Sequence, residues 1–176
     1  MELVALDNPL LKKQPEVFDF ENDNAKEFAT DLMKKMIELK GIGLSANQVG
    51  EDKRVFCMGV KNPNTGEEFN RTLFNPLLIG VNDETSLAEE GCLSMPGFRL
   101  HISRPTECTI KYFDLNNKET TETFLGLAAR VALHEYDHML GLNFTSRASK
   151  LKLDRAIKSL DKKVKRFNRR KKENDR

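Results

Sequence analysis

The sequence predicts an α+β domain, because apolar residues recur at helical spacing near both ends of the chain and at strand spacing between them. A first helix is expected over 25–39. Asn24 can cap it with Glu27 as capping-box partner, Phe28, Leu32, Met36 and Leu39 form its apolar stripe, and Gly41 and Gly43 stop it. Strands are expected at 55–60, at 72–79 with Pro76 as a break point, at 108–113 and at 119–124. The last two flank the turn-forming cluster DLNNK and make a hairpin. A second helix should run over 125–140 with Gly141 as its stop. On it Leu127, Val131, His134 and His138 share one side, since residues three and four apart are helical neighbours. A third helix should cover 152–169, with Leu153, Ile157, Leu160, Val164 and Phe167 as an apolar line among Lys and Arg.

A chain of 176 residues suits one domain with a genuine core. The formal net charge of +2 hides a strong asymmetry. From Arg147 onward there are 14 Lys/Arg against 4 Asp/Glu; the totals of 29 and 27 then leave 15 and 23 before that point. The body is thus −8 and the tail +10, so the two are expected to meet different partners. We divide the chain into a catalytic domain, 1–146, and a basic tail, 147–176. Cys57, Cys92 and Cys108 are too few for a disulfide framework and fit a reducing compartment. The opening MELVALDNPLLKK has neither a long apolar run nor the character of a transit sequence, and nothing approaches a membrane span of about 20 apolar residues. These features point to a cytoplasmic protein, with neither membrane nor DNA among its partners.

The chemistry is concentrated in LHEYDHMLG, residues 133–141. His134 and His138, one helical turn apart, can present two imidazoles to one ion, while Glu135 can reach water beside it without ligating. A chance His-Glu-His on a surface helix is the bland alternative. A third ligand is required, and no histidine follows His138. Asp154 and Asp161 lie in the basic helix, where ion pairing suits them better, and His101 lies in what reads as a surface strand, RLHISRP. Cys92, in the Gly- and Pro-punctuated stretch EEGCLSMPG, is the better candidate, because thiolate and imidazole both suit zinc and ferrous iron. Its alternative is the usual fate of a free cysteine, a small buried hydrophobe. A third stretch, GIGLSANQVG, lacks the Gly-Lys-Ser/Thr ending of a phosphate loop but delivers a neutral amide, Gln48, able to donate to a developing oxyanion. On spacing alone it reads as a helix-to-strand turn.

Taken in order, these segments resemble the peptide deformylase family, which carries GxGLAAxQ, EGCLS and HExDH where this chain has GIGLSANQ, EGCLS and HEYDH. The likeness runs from LDNPLLKK near the start to about Phe144. It implies antiparallel strands packed around a central helix bearing HExDH, with an N-terminal helix and a basic C-terminal helix. It implies removal of the formyl group from the formyl-methionine of nascent polypeptides, with release of formate. By position, Cys92, His134 and His138 would be metal ligands and Glu135 the catalytic acid/base. Gln48 and the N–H of Leu93 would hold the oxyanion, and Gly43 would help bind the substrate backbone. Arg99, in PGFRL, matches a family arginine near the cleft, with a plain surface arginine as the alternative. Leu127 and Val131 are candidates for the methionine pocket, with core packing as theirs. Asp137 is expected to pair with Arg104 rather than to ligate.

The family works with one divalent ion, usually Fe2+, with Zn2+, Ni2+ or Co2+ as substitutes. Two positions depart from the pattern: Ser45 replaces the first alanine after GxGL, and Leu133 stands where glutamine often precedes HE. Both bear on pocket lining or on the bonding around the site. Family members use C-terminal segments to dock on the ribosome, and the tail's KKVKRFNRRKK is a candidate for phosphate contacts with ribosomal RNA. Two rival readings are an HExxH metallopeptidase and a ribosome- or RNA-binding module with a vestigial metal site.

Overall fold

The computed structural model describes residues 1–61, 66 and 68–174, without side-chain detail from 171 on. Asp175 and Arg176, the end of the basic tail, lie outside the described residues. Among the described residues, three α-helices and two antiparallel sheets make a mixed α/β fold. The helices are α1 (Ala25–Glu38), α2 (Gly126–Met139) and α3 (Lys150–Asn174). The strands are β1 (Gly43–Ser45), β2 (Val55–Lys61), β3 (Glu68–Val81), β4 (Thr85–Cys92), β5 (Met95–Pro105), β6 (Glu107–Phe113) and β7 (Glu119–Leu125). The larger sheet runs β1-β2-β3-β6-β7, and β4 pairs with β5 alone.

The five-stranded sheet is covered on both faces where β2 lies. Successive side chains of a strand point to opposite faces, so Val55 and Cys57 join Leu32 and Met36 of α1, while Phe56 and Met58 join Val131, Ala132 and Met139 of α2. Burial on both faces makes β2 read as a continuous apolar run rather than an alternation. The β6–β7 hairpin forms as expected, with Phe113 opposite Glu119 at its tip.

Pro76 does not break β3. The strand passes through it with a bulge: Phe74 faces Phe113 and Leu77 faces Lys111, so one extra residue is absorbed on β3. Asn75 takes a positive φ of 49° there, and its side chain grips the N-terminal segment. Its Oδ1 accepts from the Phe18 N–H at 2.7 Å and its Nδ2 donates to the Phe18 carbonyl at 3.0 Å.

Helix α1 begins as expected: the Asn24 side chain accepts from the Glu27 N–H at 3.2 Å. Its end differs. The left-handed residue is Lys40, φ 56°, and the Gly41 N–H closes the helix on the Met36 carbonyl. Helix α2 does end on a left-handed glycine, Gly141, φ 70°.

Strand β4 and the start of β5 arise over the stretch read as a Gly- and Pro-punctuated segment, EEGCLSMPG, and the rest of β5 is the strand expected at RLHISRP. Glu90 and Cys92 lie on the buried face of β4, and only Leu93 and Ser94 make the turn into β5. In β5, Leu100, Ile102 and Arg104 face inward and His101 outward. Helix α3 rests on β5 through Leu153 and Ala156.

Candidate active site

Three elements converge beneath a cavity of about 470 Å³: β1 with the 3-10 turn Ala46–Val49, the β4–β5 turn, and α2. From α2 come His134 and His138, buried on one face. From the end of β4 comes Cys92, buried as well. One ligand atom from each of the three lies within 4.8 Å of the others. His101 is exposed on β5 and joins no such cluster among the described residues, and Asp154 and Asp161 lie on exposed α3.

The donor set fits a divalent metal. A thiolate and two imidazoles suit zinc or ferrous iron, and the three stand close enough together to be drawn onto a common ion. Cys92 Sγ lies 3.5 Å from His138 Nε2, while His138 Nδ1 is buried without a partner, so the ring is engaged only on the Cys92 side. His134 is aimed differently. Its Nδ1 lies 3.1 Å from Glu90 Oε2, and Phe144 stacks on its ring at 5.7 Å. A carboxylate behind a ligating imidazole fixes the ring's orientation and tautomer.

Glu90 is the hub of a buried ion network. Arg104 grips it with two bonds, Nε to Oε1 at 2.7 Å and NH2 to Oε2 at 2.9 Å. Arg130 adds a bond to Oε1 at 2.6 Å. Burial alone would raise the Glu90 pKa, but the bonds from His134 and Arg104 prevail and bring it down to about 2. Arg104 also reaches Asp137 Oδ2 at 2.9 Å, the pairing expected from sequence, and Arg147 holds the other side of Asp137. For His134, burial works against the charge, yet the bonds to Cys92 and Glu90 raise its pKa to about 10. His138, buried and facing the positive His134 and Arg104, is lowered to about 3. In this state His134 carries a proton that a bound metal would have to replace, whereas the ring of His138 is already neutral.

Gln48 is positioned by a helix-cap device. It stands third in the turn after Ser45, and its Oε1 accepts from the Ser45 N–H at 2.9 Å. That bond turns the Nε2 end toward the β4–β5 turn, where it donates to Cys92 Sγ at 3.2 Å and Ser94 Oγ at 3.0 Å. Leu93 follows Cys92 in that turn and lines the cavity. Glu135 is buried, and burial is the main cause that raises its pKa above the usual carboxylate value. Its Oε1 abuts Gly43 so closely that a Cβ there would sit 2.4 Å away, so any side chain at 43 would displace the Glu135 carboxylate.

Leu127 is half-exposed and Val131 buried, and both line the cavity. Arg99 lines its rim and pairs with Glu89 at 3.6 Å, exposed. Sequence reasoning missed Glu90 and Arg130. The signal for Glu90 was the strand period: two residues before Cys92 means the same face. Arg130, on α2, gave no sign of its burial.

The sequence profile of the family described as Polypeptide deformylase matches residues 1–154. A relative named Peptide deformylase, from Wolbachia pipientis wMel, is 37% identical over 167 residues, covering 91% of this chain and 93% of the relative. Among solved structures, the peptide deformylase of Ehrlichia chaffeensis aligns with a TM-score of 0.81 at 28% identity, over 95% of this chain and 98% of that one. A class I type b peptide deformylase from Acinetobacter baumannii, solved with Met-Ala-Ser bound, aligns with a TM-score of 0.75 at 28% identity, over 84% of this chain and 98% of that one.

Proposed function

The chain belongs to the peptide deformylase family, and from that premise we propose which residues perform the family's reaction. The enzyme removes the formyl group from the N-terminal methionine of new polypeptides and uses a divalent metal ion. Membership sets aside the two rivals, an HExxH metallopeptidase and a ribosome- or RNA-binding module with a vestigial metal site.

In our reading Cys92, His134 and His138 hold the metal, with Fe2+ the ion in the cell and Zn2+, Ni2+ or Co2+ able to replace it. The observation that carries this is the convergence of the three ligand atoms within 4.8 Å, with Glu135 lining the same cavity as Cys92 and His134. In the same reading α2 is the family's central helix, among antiparallel strands, with α1 and basic α3 at the two ends of the chain. A metal ion held there supplies Lewis acidity, bringing the pKa of water toward about 7. Glu135, its affinity for a proton raised by burial, accepts the proton of the attacking water and returns it to the leaving amine. The Gln48 amide and the Leu93 N–H donate to the formyl oxygen as charge grows on it; losing one such donor costs about 3–4 kcal/mol. Gly43 binds the substrate backbone, Leu127 and Val131 receive the methionine side chain, and Arg99 neutralises charge at the rim. The Acinetobacter neighbour solved with Met-Ala-Ser supports a peptide of that kind as the occupant of the cleft.

The test is formate release from formyl-Met-Ala-Ser by an anaerobic preparation, with Glu135→Gln alongside. The mutant should keep its metal and lose roughly 10²–10⁴ in rate. A mutant as active as the parent removes Glu135 from its role.

We also propose that 1–146 is the catalytic domain and 147–176 a tail that docks on ribosomal RNA, supported by the +10 charge of the tail against −8 for the body. Co-sedimentation with ribosomes at low salt should fall when the chain is cut after Arg147. Leu153 and Ala156 pack on the cluster containing Cys92, so the cut protein is compared at equal foldedness. Three free cysteines support a cytoplasmic setting. Among the described residues no helix is long and apolar enough to cross a membrane.

A further inference from the structure

Ser45 stands where the family pattern carries alanine, and its hydroxyl is not idle. The residue is fully buried. Its Oγ donates to Glu135 Oε2 at 2.7 Å and lies 3.2 Å from the Glu135 carbonyl oxygen. Gly43 and Ser45 are two apart on β1 and so share one face of the strand. That face meets Glu135 from both sides: Ser45 holds Oε2, and the missing side chain of Gly43 leaves room for Oε1. Both lie opposite Leu44, which packs in the core on the α1 side.

We infer that Ser45 is a positioning residue for proton transfer, tying Glu135 Oε2 so that Oε1 is the oxygen that exchanges protons with the reacting groups. The inference rests on the reading of Glu135 as the acid/base. The tie survives the proton's arrival. With Glu135 ionised, the Ser45 hydroxyl donates to Oε2; with a proton on Oε1, Oε2 is still a carbonyl-type acceptor and keeps that bond. In either case Oε1 remains the oxygen beside Gly43 on the cavity wall. The terminal torsion of a glutamate is broad and only weakly self-determined. Without the hydroxyl, Oε2 would be buried with no side-chain donor, and the carboxylate would turn to find one. Because the family pattern accepts alanine here, the device is a refinement of this chain and not a condition for folding.

The experiment is steady-state formate release from formyl-Met-Ala-Ser by metal-loaded Ser45→Ala and Ser45→Cys, with metal content and Tm measured on each. The cysteine fills the space of serine but donates weakly. Both variants should show kcat lowered roughly tenfold, the order of one weakened hydrogen bond to a charged group, with KM and metal content held within about twofold of the parent. In a Glu135→Gln background, Ser45→Ala should lower the residual rate no further. A kcat within about twofold of the parent overturns the inference, as does a change confined to KM or to metal content, or an equal loss in the Glu135→Gln background. Should the alanine variant fail to fold, the cysteine variant decides by the same criteria. A fully active Glu135→Gln overturns the acid/base reading and this inference with it; an inactive Glu135→Gln beside a parent-like Ser45→Ala overturns this inference alone.

Discussion

Helices α2 and α3 treat polarity in opposite ways. On α2, Arg130, Glu135 and Asp137 are buried together with both histidines. On α3, the apolar residues Ile157, Val164 and Phe167 stay 45%, 49% and 68% exposed. The difference lies in what neighbouring elements present. Around α2, β4 and β5 offer Glu90 and Arg104, β1 offers Ser45, and Arg147 follows, so the buried charges of the helix are met by hydrogen-bonding partners. Beyond Leu153 and Ala156, no hydrophobic cluster among the described residues takes in the apolar line of α3. Burial follows from partners placed in advance, not from the polarity of a residue or its helical period.

Removing one partner from the α2 network should have the largest effect. Arg104→Met leaves Glu90 and Asp137 each short of a guanidinium and should cost about 3–5 kcal/mol in urea unfolding. A loss under about 1 kcal/mol, the scale of an exposed pair, would show that the network behaves as solvated and would erase the contrast. Next comes Phe144→Ala. That ring is fully buried and stacked on His134, and its loss should cost about 3–4 kcal/mol and loosen metal binding, read by dialysis against a chelator.

Acid should act through Glu90. Its folded pKa of about 2 lies below its ordinary value of 4.5. The stability that its ionisation contributes is therefore complete above 4.5 and lost as pH falls toward 2, on the order of 3 kcal/mol in all. Urea midpoints should fall across that window in the parent and less steeply in Glu90→Gln. Equal slopes would assign the acid sensitivity to other groups. The smallest effect is the counterpart on α3: Phe167→Ala should change stability by no more than about 0.5 kcal/mol. A loss like that of Phe144→Ala would mean that the apolar line of α3 is covered in solution.

Legibility in the sequence followed how cleanly a segment's period matched its burial. Helix α1, strand β2 and the β6–β7 hairpin were readable because most of their apolar positions coincide with buried ones, whereas α2 was readable from the spacing of His134 and His138 and its Gly141 stop although Leu127 is exposed and Arg130, Glu135 and Asp137 are buried. Strand β4 and the start of β5 were not, because Glu90 reads as polar surface, and RLHISRP was read as a surface strand because Arg104 occupies one of its inward positions. The same pair hid the network behind His134. The stop of α1 was misplaced on its glycines because Lys40 takes the left-handed position, leaving Gly43 to serve the close approach to Glu135. For the proposed site, the candidates Cys92, Gln48, Glu135 and the two histidines could be picked out from their motifs, whereas the hydroxyl of Ser45 was only a departure from a pattern until its distance to Glu135 gave it a direction.

The sequence alone determined which atoms are available for chemistry: two imidazoles a helical turn apart, a carboxylate between them, the thiol of Cys92 and an amide, since spacing along a helix and the identity of a side chain are local properties. The tertiary structure alone decided that the thiol meets the imidazoles, that Glu90 and not Glu89 stands behind His134, and that Arg104 and Arg130 are buried to hold it. Those outcomes depend on strand register and on which face packs inward, and burial sets the cost of each charge only once the elements have come together.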